Sequence, residues 1–292
     1  MDPLALLALG FAPGFFWLWM IARSNRHRPD PAALVIRTFL LGVAVALPVV
    51  LVETIVQGAD GPAITARMPL AEAAFLAFVV AGLVEEFGKF VVVRLSLFDS
   101  PYFDEPLRGM IYASAVALGF ASIENVGYMV GHGPDVIVPR ALISTLVHVF
   151  CSGLWGYGLG ADRRARLSGD RVRGYTTLGL MAAILAHGLF DVFIFIDENP
   201  LSLLVFVAAG IGYVGLLVRA NRSSIHRGRT AAPVVECGKC KAECVAGKGF
   251  CAQCGEALGR GLERRCGGCK ARLEVLTEFC ASCGVRIDGT RE

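Results

Sequence analysis

What this chain has least of is charge. Only 18% of its 292 residues are Asp, Glu, Lys or Arg, against about 25% in an ordinary soluble domain, while 55% are hydrophobic. The deficit is concentrated in the first 220 positions, which excludes a water-soluble globular domain there. Cysteine is as scarce over the same stretch: Cys151 stands alone, and the other nine lie between Cys237 and Cys283. Net charge is only +3, and the arginines sit mostly in short segments between apolar runs, so they report membrane topology rather than nucleic-acid affinity. The first apolar run, Leu4 to Ile21, has no basic segment before it and no small-residue cleavage site after it, so it is expected to be a transmembrane helix rather than a signal peptide.

Seven runs are long enough to span a bilayer at roughly 20 residues each: Leu4–Ile21, Ala33–Val56, Ala73–Val93, Gly109–Gly131, Val136–Gly160, Gly174–Ile196 and Leu201–Val218. The linkers alternate in basic charge. Arg23, Arg26 and Arg28 follow the first run, and only Arg67 follows the second. Arg94 and Arg108 flank the next linker and only Arg140 the one after. Arg163, Arg164, Arg166, Arg171 and Arg173 then precede a linker, 197–200, with none, and Arg219, Arg222, Arg227 and Arg229 close the series. Positive residues are retained in the cytoplasm, so the N-terminus is expected outside and the C-terminus inside. The expected fold is an all-α polytopic bundle of about seven transmembrane helices over residues 1–220, a linker at 221–235, and a small zinc-ribbon domain at 236–292. Phe98–Pro106, with Asp99, Asp104 and Glu105, reads as a cytoplasmic loop.

Ionisable residues recur inside these runs. Ala81-Gly-Leu-Val-Glu-Glu-Phe-Gly-Lys-Phe90 puts Glu85, Glu86 and Lys89 at membrane depth. Glu124 lies in the fourth run, His148 in the fifth, and His187 and Asp191 in the sixth. A charged group at the centre of a spanning helix costs about 2.5–3.5 kcal/mol on insertion scales, so groups on four helices are expected to converge and satisfy one another. Glu85 and Lys89, four apart, can pair along one helix face, whereas Glu86 points about 100° round and is expected to keep an unpaired carboxylate. His187 and Asp191, also four apart, read as an imidazole held by a carboxylate. Two hydrolytic chemistries fit: glutamate and histidine ligands around a divalent metal that activates water, or a glutamate acting directly as general base. The same groups would also serve a non-catalytic scaffold or sensor in which they only hold helices together. A proton channel or transporter is the third reading, weakened by the lack of an internal repeat.

In order along the helices, Glu85-Glu86-x-x-Lys89, Phe120-x-x-x-Glu124, His148 and His187-x-x-x-Asp191, with the loop Phe103-Asp-Glu-Pro-Leu-x-Gly109, resemble the PrsW family of intramembrane proteases over roughly residues 35–220. That family is similar to the CAAX prenyl endopeptidase and bacterial immunity-protease group. The resemblance implies endoproteolysis of a membrane-protein substrate, such as a single-pass anti-sigma factor, within or beside the bilayer. It implies Glu85 or Glu86 as the water-activating base or a metal ligand, with Glu124, His148 and His187 as ligands or transition-state stabilisers. Metal and metal-free routes both stay open.

The tail carries Cys237-x2-Cys240-x10-Cys251-x2-Cys254 and then Cys266-x2-Cys269-x10-Cys280-x2-Cys283, an offset of 29 that also relates Phe250 to Phe279, Ala252 to Ala281 and Gly255 to Gly284. Paired Cys-x2-Cys knuckles supply the two edges of a tetrahedral zinc site, so two structural zinc ions are expected. Cys244 and Cys151 are left without a matched partner. Closed four-thiolate sites have no open position, which makes the tail a recognition or regulatory module. Its lysines and arginines, including Lys248 and Arg260, read as a solvated surface rather than a nucleic-acid or lipid footprint.

Overall fold

The computed structural model describes residues 2–25, 29–57, 69–226, 230–231, 233–245, 250–251, 253–258, 264–273 and 279–287; Arg26, Arg28, Arg67, Arg227, Arg229, Lys248, Ala252 and Arg260 lie outside the described residues. Two compact units result, Met1–Ser24 with Ala32–Ser224, and Ile225–Glu292 with the connector Asn25–Pro31.

The first unit is helical. Helices α1 (Pro3–Ala22) and α2 (Ala32–Gln57) precede a continuous rod made of α3 (Leu70–Ala74), a π-helical stretch Phe75–Leu83, and α4 (Val84–Ser96). Then come α5 (Pro106–His132), the short α6 (Ile137–Pro139), α7 (Thr145–Ser168), α8 (Tyr175–Phe195) and α9 (Asn199–Arg222). Among the described residues six helices are long and apolar enough to cross a membrane, the fourth of them the rod Pro134–Ser168 that runs through α6 into α7, after α5 and ahead of α8. The remaining expected span, the third run, falls in the rod at 70–96, in which Phe75–Leu83 is π-helical rather than α-helical. The wider π turn brings this rod against α8, where a Cβ on Gly82 would lie 2.9 Å from the Ile184 carbonyl oxygen.

Local chemistry sets the ends. Proline occupies the first turn of α1, α5 and α9, where its missing N–H costs nothing. Gly169 ends α7 in the left-handed region (φ 74°), its N–H bonded to the Arg166 carbonyl and that of Asp170 to the Ala165 carbonyl. The segment between α4 and α5 is non-helical, as expected of a loop, but Phe98 and Phe103 within it are buried.

Helix α5 is the axis of the bundle, packed by α1, α2 and α7 and buried along most of its length. Close approach of backbones makes that possible. A Cβ on Gly119 would collide with the Phe39 carbonyl oxygen of α2, and one on Gly109 with the Gly156 carbonyl oxygen of α7. The outward faces of the other helices carry exposed apolar side chains, among them Leu47, Ile55, Leu178 and Ile211, the inverse of a water-soluble bundle.

In the second unit, β2 (Pro233–Glu236) lies between β3 (Glu243–Val245) and β4 (Arg265–Cys266), antiparallel to both, while β1 (Thr230–Ala231) pairs in parallel with β5 (Arg286–Ile287). Within the stretch 221–235, residues 221–222 belong to α9, 230–231 to β1 and 233–235 to β2. All four knuckles repeat one turn. The N–H four residues on bonds back to the carbonyl of the leading cysteine, from Lys241 to Cys237, Gly255 to Cys251, Lys270 to Cys266 and Gly284 to Cys280. Each donor residue has positive φ, between 60° and 72°.

Overpacking against backbone cannot be relieved by a rotamer change and costs about 1–3 kcal/mol or more. Gly119→Val is expected to lower the thermal unfolding temperature of the detergent-solubilised protein by several degrees, or to abolish its accumulation. Gly127→Val on the same helix, where a Cβ meets nothing within 4 Å, is expected to be neutral.

Candidate functional site

The polar residues of four helices meet around one ammonium group. Lys89, fully buried and the only lysine before position 239, donates to Glu85 Oε2 at 2.9 Å and to Glu86 Oε1 at 3.0 Å, and lies 3.0 Å from His148 Nδ1. Its Nζ also sits 4.2 Å above the Phe120 ring, which adds a cation–π attraction. Lys89 is four residues from Glu85 and three from Glu86, and both spacings bring side chains together on a helix. The expectation that Glu86 keeps an unpaired carboxylate is therefore corrected.

Glu86 is the most completely bonded of these groups. Its Oε2 accepts from Ser152 Oγ (2.8 Å) and Trp155 Nε1 (2.9 Å), and its Oε1 pairs with His187 Nδ1 at 3.1 Å as well as with Lys89. His187 has two carboxylates beside it: Glu86 Oε1 lies 3.1 Å from Nδ1, and the expected partner Asp191 lies 3.5 Å from Nε2.

His148 is fixed from both sides. Its Nε2 is 2.7 Å from Glu124 Oε2, and Arg140 Nη2 is 3.3 Å from the same oxygen. Arg140 Nε donates to Asn125 Oδ1 at 2.8 Å, and Asn125 Nδ2 to Thr145 Oγ1 at 3.1 Å. Sequence spacing sets Glu124 toward the far end of its span from Glu86. The packing of α5 on α7 brings it to the cluster through His148.

All seven expected residues, Glu85, Glu86, Lys89, Glu124, His148, His187 and Asp191, thus fall in one connected group. Sequence reasoning passed over Ser152 and Trp155, although they follow His148 at four and seven residues and so share its helix face. It took Arg140 for a linker charge, but the π-helical turn Arg140–Ser144 turns it inward. It also passed over Glu53 of α2, half-buried and within electrostatic reach of Glu85, Glu124 and Lys89; an acid inside an apolar run was the available signal.

Glu85, His148 and His187, all buried, offer ligand atoms that lie within 4.8 Å of one another. Two imidazoles and one carboxylate match a catalytic zinc set in donor type. One constraint comes with the fit. A neutral imidazole nitrogen has a single lone pair; with His148 Nε2 engaged by Glu124 and Nδ1 beside Lys89, a metal bound through Nδ1 would displace the ammonium.

The tail clusters are separate in kind. In each, the sulfurs of four cysteines lie within 4.8 Å of one another, with contacts Cys237–Cys254 and Cys240–Cys251 at 3.6 Å, Cys266–Cys283 at 3.6 Å and Cys269–Cys280 at 3.5 Å. These are non-bonded distances between free thiols, close to the edge of about 3.8 Å that a Zn–S bond of about 2.3 Å gives a tetrahedron. The backbone N–H groups of Cys254 and Gln253 hold the Cys251 thiol down to about 6, toward the thiolate that binds metal. Cys244 packs into the first cluster's core and Cys151 into the helical core, and neither belongs to a four-cysteine set.

A model of the family described as PrsW family intramembrane metalloprotease matches residues 30–218. Protease PrsW of Bacillus subtilis (strain 168) is 30% identical over 190 residues, 64% of this chain and 81% of that protein. Protease PrsW of Geobacillus kaustophilus is 31% identical over 187 residues, 64% of this chain and 78% of its own length, and that of Clostridioides difficile (strain 630) is 28% identical over 231, 78% and 91%. No solved structure matches. With six apolar spans among the described residues and a family model matching residues 30–218, this chain belongs to the PrsW family of intramembrane proteases and is a multi-pass membrane hydrolase.

Proposed function

We propose that the cluster around Lys89 is the hydrolytic centre, and that it cleaves single-pass membrane proteins of the anti-sigma-factor kind. The observation that carries this reading is the convergence of Glu85 Oε2 with His148 Nδ1 at 3.5 Å and His187 Nε2 at 3.9 Å, all buried.

Glu85 is the group where both imidazoles meet, and we assign it the proton transfer. It accepts a proton from water as the water oxygen bonds to the scissile carbonyl carbon. It then returns that proton to the departing amide nitrogen as the C–N bond breaks. Lys89 and the imidazole edges stand beside the oxygen that gains charge, where low-dielectric surroundings strengthen their effect. A divalent metal held by Glu85, His148 and His187 would supply Lewis-acid polarisation and a more acidic bound water. Glu86 orients His187 and Lys89, and Glu124, braced by Arg140, orients His148; these are positioning residues. Asp191 adds negative charge beside His187.

The arginines at the end of α7, in the segment before α8 and at the end of α9 line one cavity and so share one end of the bundle, which supports an outside N-terminus and a cytoplasmic C-terminus. In the tail, the sulfur spacing supports two structural zinc ions and a recognition or regulatory role.

The substitutions that test the centre are not equivalent. Glu85→Gln is expected to fold and to lose about 10²–10⁴-fold in turnover. Comparing membrane proteomes of cells with wild type or Glu85→Gln at equal expression should reveal a single-pass protein that stays full-length only in the mutant; two identical proteomes would defeat the reading. Glu86→Gln is expected to fail earlier. Both oxygens of Glu86 face donors, so either placement of the amide sets an NH2 against them and costs about 1–3 kcal/mol or more, visible as a lowered unfolding temperature.

Metal analysis of the full chain tests the tail. Cys251→Ser is expected to lower the zinc content by one equivalent, and Cys280→Ser likewise; unchanged zinc in both variants would refute the assignment.

A further inference from the structure

At the end of the bundle where α7 stops, α8 starts and α9 stops, the surface is hollowed into a cavity of about 1100 Å³. Among the described residues five of its lining side chains are arginines, Arg164, Arg171, Arg173, Arg219 and Arg222, and two are aspartates, Asp162 and Asp170. One of the aspartates is already engaged. Asp162 is buried, and its oxygens accept from the N–H of Tyr175 (3.3 Å), the N–H of Thr176 (2.9 Å) and the Thr176 hydroxyl (2.7 Å), capping the first turn of α8. Asp170 is exposed, where solvent screens it.

Three of the arginines are held by neutral acceptors. Arg164 Nη1 donates to the Ser223 carbonyl at 3.0 Å, Arg219 Nε to the Tyr157 hydroxyl at 3.1 Å, and Arg173 Nη1 to the Tyr175 hydroxyl at 3.4 Å. Such bonds leave the guanidinium charge in place. Guanidinium forks whose hydrogen-bond partners are uncharged, as those of Arg164, Arg173 and Arg219 are, suit the binding of phosphate oxygens.

The apolar side of the same cavity says which phosphate. Val218 lines it, and the exposed residues Val207, Ile211, Val214 and Val218 follow one another at four, three and four positions along α9, so they form a single stripe leading from the cavity along a spanning helix. A cationic rim joined to a lipid-facing apolar track is complementary to an amphiphile. We propose that this cavity is a binding site for an anionic phospholipid, its phosphate among Arg164, Arg173 and Arg219 and an acyl chain on the α9 stripe. The site lies outside the cluster around Lys89 and does not depend on its catalytic reading.

The test uses the full chain, purified in detergent and mixed with lipid, with retained lipid counted by native mass spectrometry. Wild type is expected to retain phosphatidylglycerol over phosphatidylcholine by about ten-fold or more. Each arginine near anionic lipid is worth about five-fold, so Arg173→Gln with Arg219→Gln should weaken phosphatidylglycerol binding about thirty-fold while leaving the unfolding temperature in phosphatidylcholine unchanged. If the double variant does not hold its fold, Val214→Asn is the second probe. It leaves the arginines in place, and it should weaken retention of phosphatidylglycerol but not of inorganic phosphate. Arg94→Gln, a basic residue outside the cavity, should bind as wild type does. Equal retention of the two lipids, equal binding by wild type and the variants, or an Arg94→Gln loss matching that of the double variant would overturn the proposal. Full displacement of the lipid by millimolar inorganic phosphate would also overturn it, by making the ligand a soluble anion.

Discussion

A single buried ammonium holds the membrane unit's polar centre together. Two carboxylates and an imidazole from α4 and α7 are within 3.0 Å of Lys89 Nζ. In a low-dielectric interior such groups persist only when they satisfy one another, and removing one partner of a buried pair costs about 3–5 kcal/mol. From Lys89 the bonds run outward: through Glu86 to Ser152, Trp155 and His187, and through His148 to Glu124 and Arg140. Helices α4, α5, α7 and α8 are thus tied at one depth by electrostatics, whereas apolar packing alone would let them slide.

That tie requires close helices, and the small residues on α5 provide for it. Gly109 and Gly119 let the backbones of α7 and α2 approach until no Cβ would fit between. Without a hydrophobic driving force between helices in lipid, such contact surfaces do most of the packing. The π-helical stretch before Glu85 serves the same end from another side, bringing the backbone of Gly82 close to α8, which carries His187. Packing and chemistry are one problem in this fold, since a shift of one helix would part the imidazoles from Glu85.

The crowding of Glu86 separates roles that the sequence presents as equal. Two adjacent glutamates look interchangeable on paper. One has both oxygens engaged by four donors and the other sits where two imidazoles converge. The Lys89 ammonium also stands at the one His148 nitrogen left for a ligand, so metal and lysine are alternatives for a single lone pair. An internal cation of this kind links metal occupancy to the conformation of one side chain.

The sequence by itself determined the helical membrane class, five of the spans to within a few residues, the repeated cysteine knuckles and seven members of the polar cluster, while the run expected at Val136–Gly160 continues to Ser168. Apolar runs, a repeat at an offset of 29 and ionisable residues at membrane depth are all local signals with a large free energy behind them. Tertiary structure alone decided the partners. Spacing joins His187 to Asp191, and packing adds Glu86; spacing separates Glu124 from the glutamate pair, but the α5–α7 contact returns it through His148. Arg140, Ser152 and Trp155 entered the site in the same way, because a hydrogen bond between helices depends on their relative depth and rotation. Those are set by how glycines and side chains fit across the bundle, which no stretch of sequence carries alone.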